Sequence, residues 1–271
     1  MQTFFTTFPW IIGILGLIVG SFLNVVILRF GKKTINGRSE CMHCHQQLRW
    51  HELFPVMSYA LQRGKCRTCK GNISAQYPLV ELFTGILFYL SAVHLVRYFF
   101  DFSWSWVGMF ISLLVLVLFL VLLFIYDVKH RLVPHIWLFG LLVSSIAYIV
   151  FWYSNLDILL PQSILFHGMG LLLALPCLVA WLLSKGKWFG FGDVLIIAWL
   201  GLFFGFWQGI VALLIAIYLG GLVGLGIIIW KRTKKIPYQE IRKIQVPFLP
   251  FLLTAWILVE LLGVNLVAWL P

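Results

Sequence analysis

Apolar residues run in long unbroken blocks separated by short polar patches, rather than in the alternation of a half-buried strand or the one-sided stripe of a soluble helix. Eight blocks, at roughly 8–28, 79–97, 106–126, 136–153, 163–183, 188–207, 209–230 and 247–269, are long enough to cross a hydrocarbon core, which takes about 20 helical residues. The pattern predicts an all-α polytopic membrane protein with about eight transmembrane helices. One sizeable polar stretch interrupts it, between the first and second blocks. The chain therefore divides into a first transmembrane helix over 1–28, a small polar module over 29–78 and a seven-helix membrane body over 79–271.

Composition supports this reading and charge orients it. Hydrophobic residues make up 62% of the chain and charged residues 11%, against roughly 25% charged in soluble domains. If the first helix ends inside, the cytoplasmic connections are 29–78, 127–135, 184–193 and 231–246. They hold 19 of the 20 Lys and Arg residues, as the positive-inside tendency requires. Only Arg97 falls on the other face, and both termini are expected outside. The formal charge of +11 thus follows topology. It predicts contact with anionic lipid and no nucleic-acid surface, because the basic residues are not interleaved with stacking aromatics. The first block has no basic residue ahead of it and carries Arg29, Lys32 and Lys33 behind it, so it reads as a retained anchor and not a cleaved signal peptide. Gly16 with Gly20 and Gly220 with Gly224 stand at helical spacing and predict close helix packing. Asn24 is expected to hydrogen-bond between helices.

The polar module carries Cys41-Met-His-Cys44 and Cys66-Arg-Thr-Cys69, a C-x2-C pair, 21 residues and a second C-x2-C pair. Four thiolates in two such knuckles can surround one tetrahedral Zn²⁺, and a segment this short needs such a staple to fold. Cytoplasmic exposure disfavours disulfides; redox use of the thiols is the weaker reading. His43 and His45 flank Cys44 but are expected not to be ligands, since the cysteines already fill the tetrahedron. Cys177, alone in the fifth block, reads as a small apolar residue.

Asp127 closes the third block in Tyr126-Asp127-Val-Lys-His-Arg-Leu-Val-Pro134, and Asp193 opens the sixth in Phe189-Gly-Phe-Gly-Asp193. A single aspartate at a helix end is ordinarily a cap or an interfacial residue. Here two of the nine acidic residues sit at the same predicted membrane face, and Gly190 and Gly192 permit close backbone approach or unusual dihedrals beside Asp193. If the fold joins them, an ionised and a protonated carboxyl can share the work of hydrolysis, one activating water and the other polarising the scissile carbonyl. Glu81, after Tyr77-Pro78, reads either as part of a polar site or as a carboxylate favoured by a helix N-terminus. Glu260, inside the last block, is expected to be buried and paired or protonated.

These residues resemble, in order, the motifs of the type IV prepilin peptidases: Gly16-x3-Gly20-Ser-Phe-Leu-Asn-Val-Val-Ile-Leu-Arg29, the two C-x2-C pairs, Tyr77-Pro78-Leu-Val-Glu81, Asp127 to Pro134, and Gly190-x-Gly192-Asp193. The resemblance implies an aspartic endopeptidase of the bacterial cytoplasmic (inner) membrane. It would remove the basic leader of prepilins or pseudopilins by cutting after a glycine at the cytoplasmic face. It further implies N-methylation of the new terminus with S-adenosylmethionine, and catalytic roles for Asp127 and Asp193. Two positions depart from the family pattern. Leu195 stands where a lysine is common, and Pro247-Phe-Leu249-Pro250 replaces Pro-Phe-Gly-Pro; they bear on the charge beside Asp193 and on the backbone path into the last helix. Read without the resemblance, the aspartates also suit a proton-relaying transporter, and the cysteine module suits an assembly scaffold.

Overall fold

The computed structural model describes residues 2–31, 37–98, 103–156, 160–187, 190–234 and 247–264. Among them the chain is helical, with only two isolated antiparallel bridges, both in the polar module. Six helices are long and apolar enough to cross a membrane, as uninterrupted intrahelical hydrogen bonding in lipid demands. Lys32, Lys33, Phe189, the basic connection beyond residue 234 and the end of the last predicted span at 265–269 lie outside the described residues.

The chain forms two compact units. Residues 1–102 and 113–125 make the first; residues 103–112 and 126–271 make the second. In the first unit, α1 (Gln2–Arg29) packs along α3 (Gln76–Tyr98). The reason is a shared face of small residues. A Cβ on Gly16 would fall 2.7 Å from Phe88 Cβ, one on Gly20 would fall 2.8 Å from Glu81 Cα, and one on Gly85 would fall 2.6 Å from Leu17 Cδ2. Glycine removes these obstacles and lets the two backbones approach, which is how helices associate where lipid offers no hydrophobic drive. Asn24, almost fully buried, donates from Nδ2 to the carbonyls of Gly20 and Tyr77, the interhelical bond expected of it. Between α1 and α3 sits the polar module with a one-turn helix, α2 (Met57–Leu61).

The second unit holds α5 (His135–Asn155), α6 (Leu160–Gly170), α7 (Leu175–Ser184), α8 (Phe191–Thr233) and α9 (Leu249–Trp256). The ends of α4 (Trp104–His130) also belong to it. The predicted fifth span is one path with a 3₁₀ turn, Leu171–Ala174, between α6 and α7. Pro176, which has no N–H to donate, stands at the start of the resumed helix, where that loss is harmless. The predicted sixth and seventh spans run on without a loop as α8, and the sequence-based boundary near residue 208 moves to Gly205. There φ is 75° and ψ is −178°, a conformation open to glycine alone. The chain folds back at this point. Gly201 and Gly209 would be about 12 Å apart along a straight helix, yet a Cβ on Gly209 would lie 3.2 Å from Gly201 Cα. Backbone also meets backbone where α6 crosses α8, since a Cβ on Gly170 would collide with the Gly201 carbonyl. With α8 counted as two segments and α9 as a short one continuing into a π-helical turn, Ile257–Leu261, the eight apolar segments are recovered.

An aromatic core ties α5, α8 and α9 together. Trp199 and Trp256 are fully buried. Trp199 donates to Ser145 Oγ at 2.8 Å, and Phe203 stacks on Tyr148 and meets Trp256 edge-on. Of the second predicted glycine pair, Gly220 packs on Phe251 of α9, whereas Gly224 meets no atom of the described residues within 4 Å.

Candidate active site and metal centre

Asp127 lies in the last turn of α4, where the helix dipole disfavours a carboxylate. Its backbone carbonyl accepts the N–H of Arg131, whose left-handed conformation (φ 54°) ends the helix and turns the chain. The side chain is buried at 8% exposure, and among the described residues Oδ2 has no hydrogen-bond partner. Buried acceptors are nearly always satisfied, so such an oxygen calls for an explanation.

Asp193 occupies the third position of α8 and has an evident structural use. The N-cap is Gly190, and the backbone N–H of Gly190 acts on the Asp193 carboxylate, as in the reach-back half of a capping box. A carboxylate there also complements the helix dipole. The cap reading of a lone aspartate thus holds for Asp193 and fails for Asp127.

The fold brings the two carboxyls within electrostatic reach of each other. What allows this is Gly192. A Cβ there would lie 2.8 Å from Val133 Cγ2, so the segment leaving α4 rests directly on the backbone entering α8. Gly190 plays no such part; its φ of −75° and ψ of 150° are ordinary extended backbone. Unusual dihedrals, expected as one option beside Asp193, are not used.

Three neighbours were not legible in the sequence. The backbone N–H of Leu249, at the first residue of α9, and the Arg131 side chain both act on the Asp127 carboxyl. The Leu249 side chain is buried and its backbone starts a regular helix, so leucine fits this position without strain. Cys177, expected to be inert, lies on α7 within electrostatic reach of Asp193. One turn on, Trp181 meets Phe191 at 5.0 Å. Leu195 is half-buried on α8 and brings no charge beside Asp193. Glu81 belongs to the first unit. Its Oε2 accepts the Val56 N–H at 2.7 Å, and Ser21 also bonds it.

In the polar module the same turn is built twice, 25 residues apart. Cys41 N–H bonds to Gln46 O, and His45 N–H bonds to Cys41 O. Cys66 N–H likewise bonds to Gly71 O, and Lys70 N–H bonds to Cys66 O. The fifth residue of each turn, His45 or Lys70, takes positive φ, and a bridge closes each base, Glu40 to Gln47 and Lys65 to Asn72. The four sulfurs of Cys41, Cys44, Cys66 and Cys69 lie within 4.8 Å of one another. Cys41 and Cys69 are 3.9 Å apart. Metal–sulfur bonds of about 2.3 Å in a tetrahedron put sulfurs about 3.8 Å apart, so the quartet fits a Zn²⁺-sized ion.

Backbone N–H groups of Cys69 and Thr68 bring the Cys66 thiol down to about 6. Although the Gln46 N–H pulls the other way, desolvation and hydrogen bonds to the other three thiols hold Cys44 up to about 11. Four crowded thiols ionise together only around a cation. His43 is no ligand. Its Nε2 reaches Asn72 O at 3.3 Å, and its ring covers Gly71, clasping one knuckle to the other. His45 pairs with Glu40 at 3.6 Å.

Residues 14–95, which include all four ligand-type cysteines, match the Bacterial Peptidase A24 N-terminal domain. Residues 114–225, which include both aspartates, match the Type IV leader peptidase family. Three relatives carry the name Prepilin leader peptidase/N-methyltransferase. The protein of Dickeya chrysanthemi is 30% identical, with 88% of this chain and 89% of the relative covered. That of Neisseria gonorrhoeae is 33% identical, with 82% of each covered. That of Pseudomonas aeruginosa is 32% identical, with 90% and 87% covered. No solved structure matches the chain.

Proposed function

The chain belongs to the type IV leader peptidase family, and from that premise we propose that it is an aspartic endopeptidase in which Asp127 and Asp193 form the catalytic pair. The observation that carries the reading is the buried, unpartnered Oδ2 of Asp127 within electrostatic reach of Asp193. Asp127 does nothing for its helix there, so its cost is explained by the chemistry it performs. One carboxylate takes a proton from water while the other, protonated, polarises the scissile carbonyl. The Leu249 amide and the Arg131 charge both act on the Asp127 carboxyl.

The substrates are prepilins or pseudopilins, cut after a glycine where a basic leader meets an apolar helix. A pair at the ends of α4 and α8, rather than at mid-bilayer, suits a cut at the cytoplasmic face of the inner membrane, with both termini of the enzyme outside. The cysteine quartet holds structural Zn²⁺. The relatives' names support N-methylation of the new terminus as a second activity, with S-adenosylmethionine supplying the methyl group. Family membership favours this reading over the transporter and the scaffold.

The test is cleavage of a prepilin-like substrate in membranes by wild type and by Asp127→Asn and Asp193→Asn variants that accumulate equally. Both variants should be inactive while the wild type cuts. Retained cutting by either variant would remove the pair from the mechanism.

A further inference from the structure

Five large apolar side chains stand exposed within one short segment of the polar module: Trp50 at 73%, Leu53 at 45%, Phe54 at 50%, Met57 at 63% and Leu61 at 80%. They are not part of a membrane span. A 3₁₀ turn, Trp50–Leu53, presents the first of them and α2 the last. Trp50 and Phe54 meet edge-on at 5.8 Å, so the two rings form one face. An apolar face this concentrated on a polar module marks an interaction surface.

The segment is held at a definite height. Val56 takes φ 60° and ψ −48°, the rare γ-turn region, with the Met57 N–H bonded to the Pro55 carbonyl across it, a conformation costly for a β-branched residue. It is kept there by the 2.7 Å bond from its N–H to buried Glu81. Glu81 lies five residues into α3, about 7–8 Å along the helix from its start. That is the depth of a headgroup region for a helix that spans the bilayer. The bond therefore pins the apolar segment beside the point where α3 enters the membrane. The module is also tied at both ends to spans, α1 and α3, so it cannot leave the surface.

Charge identifies what covers the face. Arg49, Arg63, Lys65, Arg67 and Lys70 are exposed in the same module, Arg67 reaching His51 beside Trp50 at 3.1 Å, and the described module over 37–75 has only Glu40 and Glu52 as acids. Exposed apolar side chains and an excess of exposed cations in one small module suit an anionic bilayer surface, where rings and aliphatic chains enter the acyl boundary and cations meet phosphate. A second copy of the same basic face would be repelled. We propose that Trp50–Leu61 is a foot that seats the cysteine module on anionic lipid, fixing its height independently of the peptidase chemistry.

The experiment places a photoreactive benzoyl-phenylalanine at Leu61, or separately at Met57, in the full chain. The protein is reconstituted in vesicles with or without phosphatidylglycerol, and adducts are read by mass spectrometry. Lipid adducts at both positions, several-fold more abundant with phosphatidylglycerol, are expected. Absence of lipid adducts, or adducts only to a second copy or to an added pilin-like peptide, would overturn the proposal. A second measurement leaves the segment intact: quenching of wild-type tryptophan emission by lipids brominated along the acyl chain, compared with Trp50→Phe. A smaller amplitude of quenched emission in the variant is expected, and an unchanged amplitude would also overturn the foot.

Discussion

The hydroxyl of Tyr148 on α5 donates a 2.7 Å hydrogen bond to Glu260 Oε1 in the π-helical turn that follows α9. Eleven residues before Glu260, the amide of Leu249 acts on Asp127. The bond therefore fixes the helix that supplies a neighbour of the aspartate, and π-helical turns are frequent at functional sites.

Tyr148→Phe should cost about 1–3 kcal/mol, the usual penalty for depriving a buried acceptor of its donor. Thermal unfolding in detergent would show it as a lower Tm. Cleavage by this variant should lose kcat with KM little changed, because the substrate's binding surface is intact and only the setting of Asp127 loosens. Glu260→Gln, with Tyr148 intact, keeps an acceptor for its hydroxyl and should retain most of the rate. A KM effect alone would place the pair in substrate binding instead.

The two aspartates should differ in stability although they agree in activity. Asp193→Asn removes charge from the favourable N-terminal end of α8 and should destabilise by about 0.3–1 kcal/mol. Asp127→Asn removes a buried charge from the unfavourable end of α4, where Oδ2 has no partner, and should be neutral or stabilising by a similar amount. Unfolding midpoints of the two inactive variants check this. Equal destabilisation would mean that Asp127 has a structural use which its surroundings do not reveal.

Much of this architecture was legible because lipid imposes simple rules. Unbroken apolar blocks gave the helices, and the doubled C-x2-C spacing gave the quartet. Gly192 was singled out as a close-approach residue and proved to be one, against Val133. The hinge at Gly205 was missed by a few residues because a glycine inside a continuous apolar run carries no polar signal. The Leu249 amide was invisible for a different reason: every residue but proline offers the same N–H, and only the arrival of α9 gives this one a role. Cys177 likewise acquired a charged neighbour only through packing of α7 on α8.

Metal removal should act on the module and spare the body. The protein should carry one Zn²⁺ per chain, and a strong chelator should abolish amide protection over residues 37–75 while the spans keep theirs in hydrogen exchange. Cys41→Ser or Cys66→Ser should do the same. Binding should strengthen as pH rises from about 6 to 9, because the ion displaces protons from thiols that hold them. The sign follows from Cys44, whose thiol is held up to about 11 and so still binds its proton throughout that window, while Cys66, near 6, ionises at its lower edge. Zinc competition against a chelator of known affinity across pH measures the slope, and a flat response would point to ligands other than the thiols.

The tightest test of the site's geometry is Gly192. Alanine there puts a Cβ 2.8 Å from Val133 Cγ2, so the segment after α4 must lift from the start of α8. Overpacking of this kind costs about 1–3 kcal/mol, and a displacement of about 1 Å between catalytic groups costs on the order of 100-fold in rate. Gly192→Ala should therefore cut poorly while still accumulating in the membrane. Gly190→Ala, at an ordinary extended backbone position, should remain active. Val133→Ala in the Gly192→Ala background removes the opposing methyl groups and should restore cleavage. Rescue would tie the rate to this one contact; failure of rescue, with the double variant folded, would mean that Gly192 serves substrate or water at the aspartates directly.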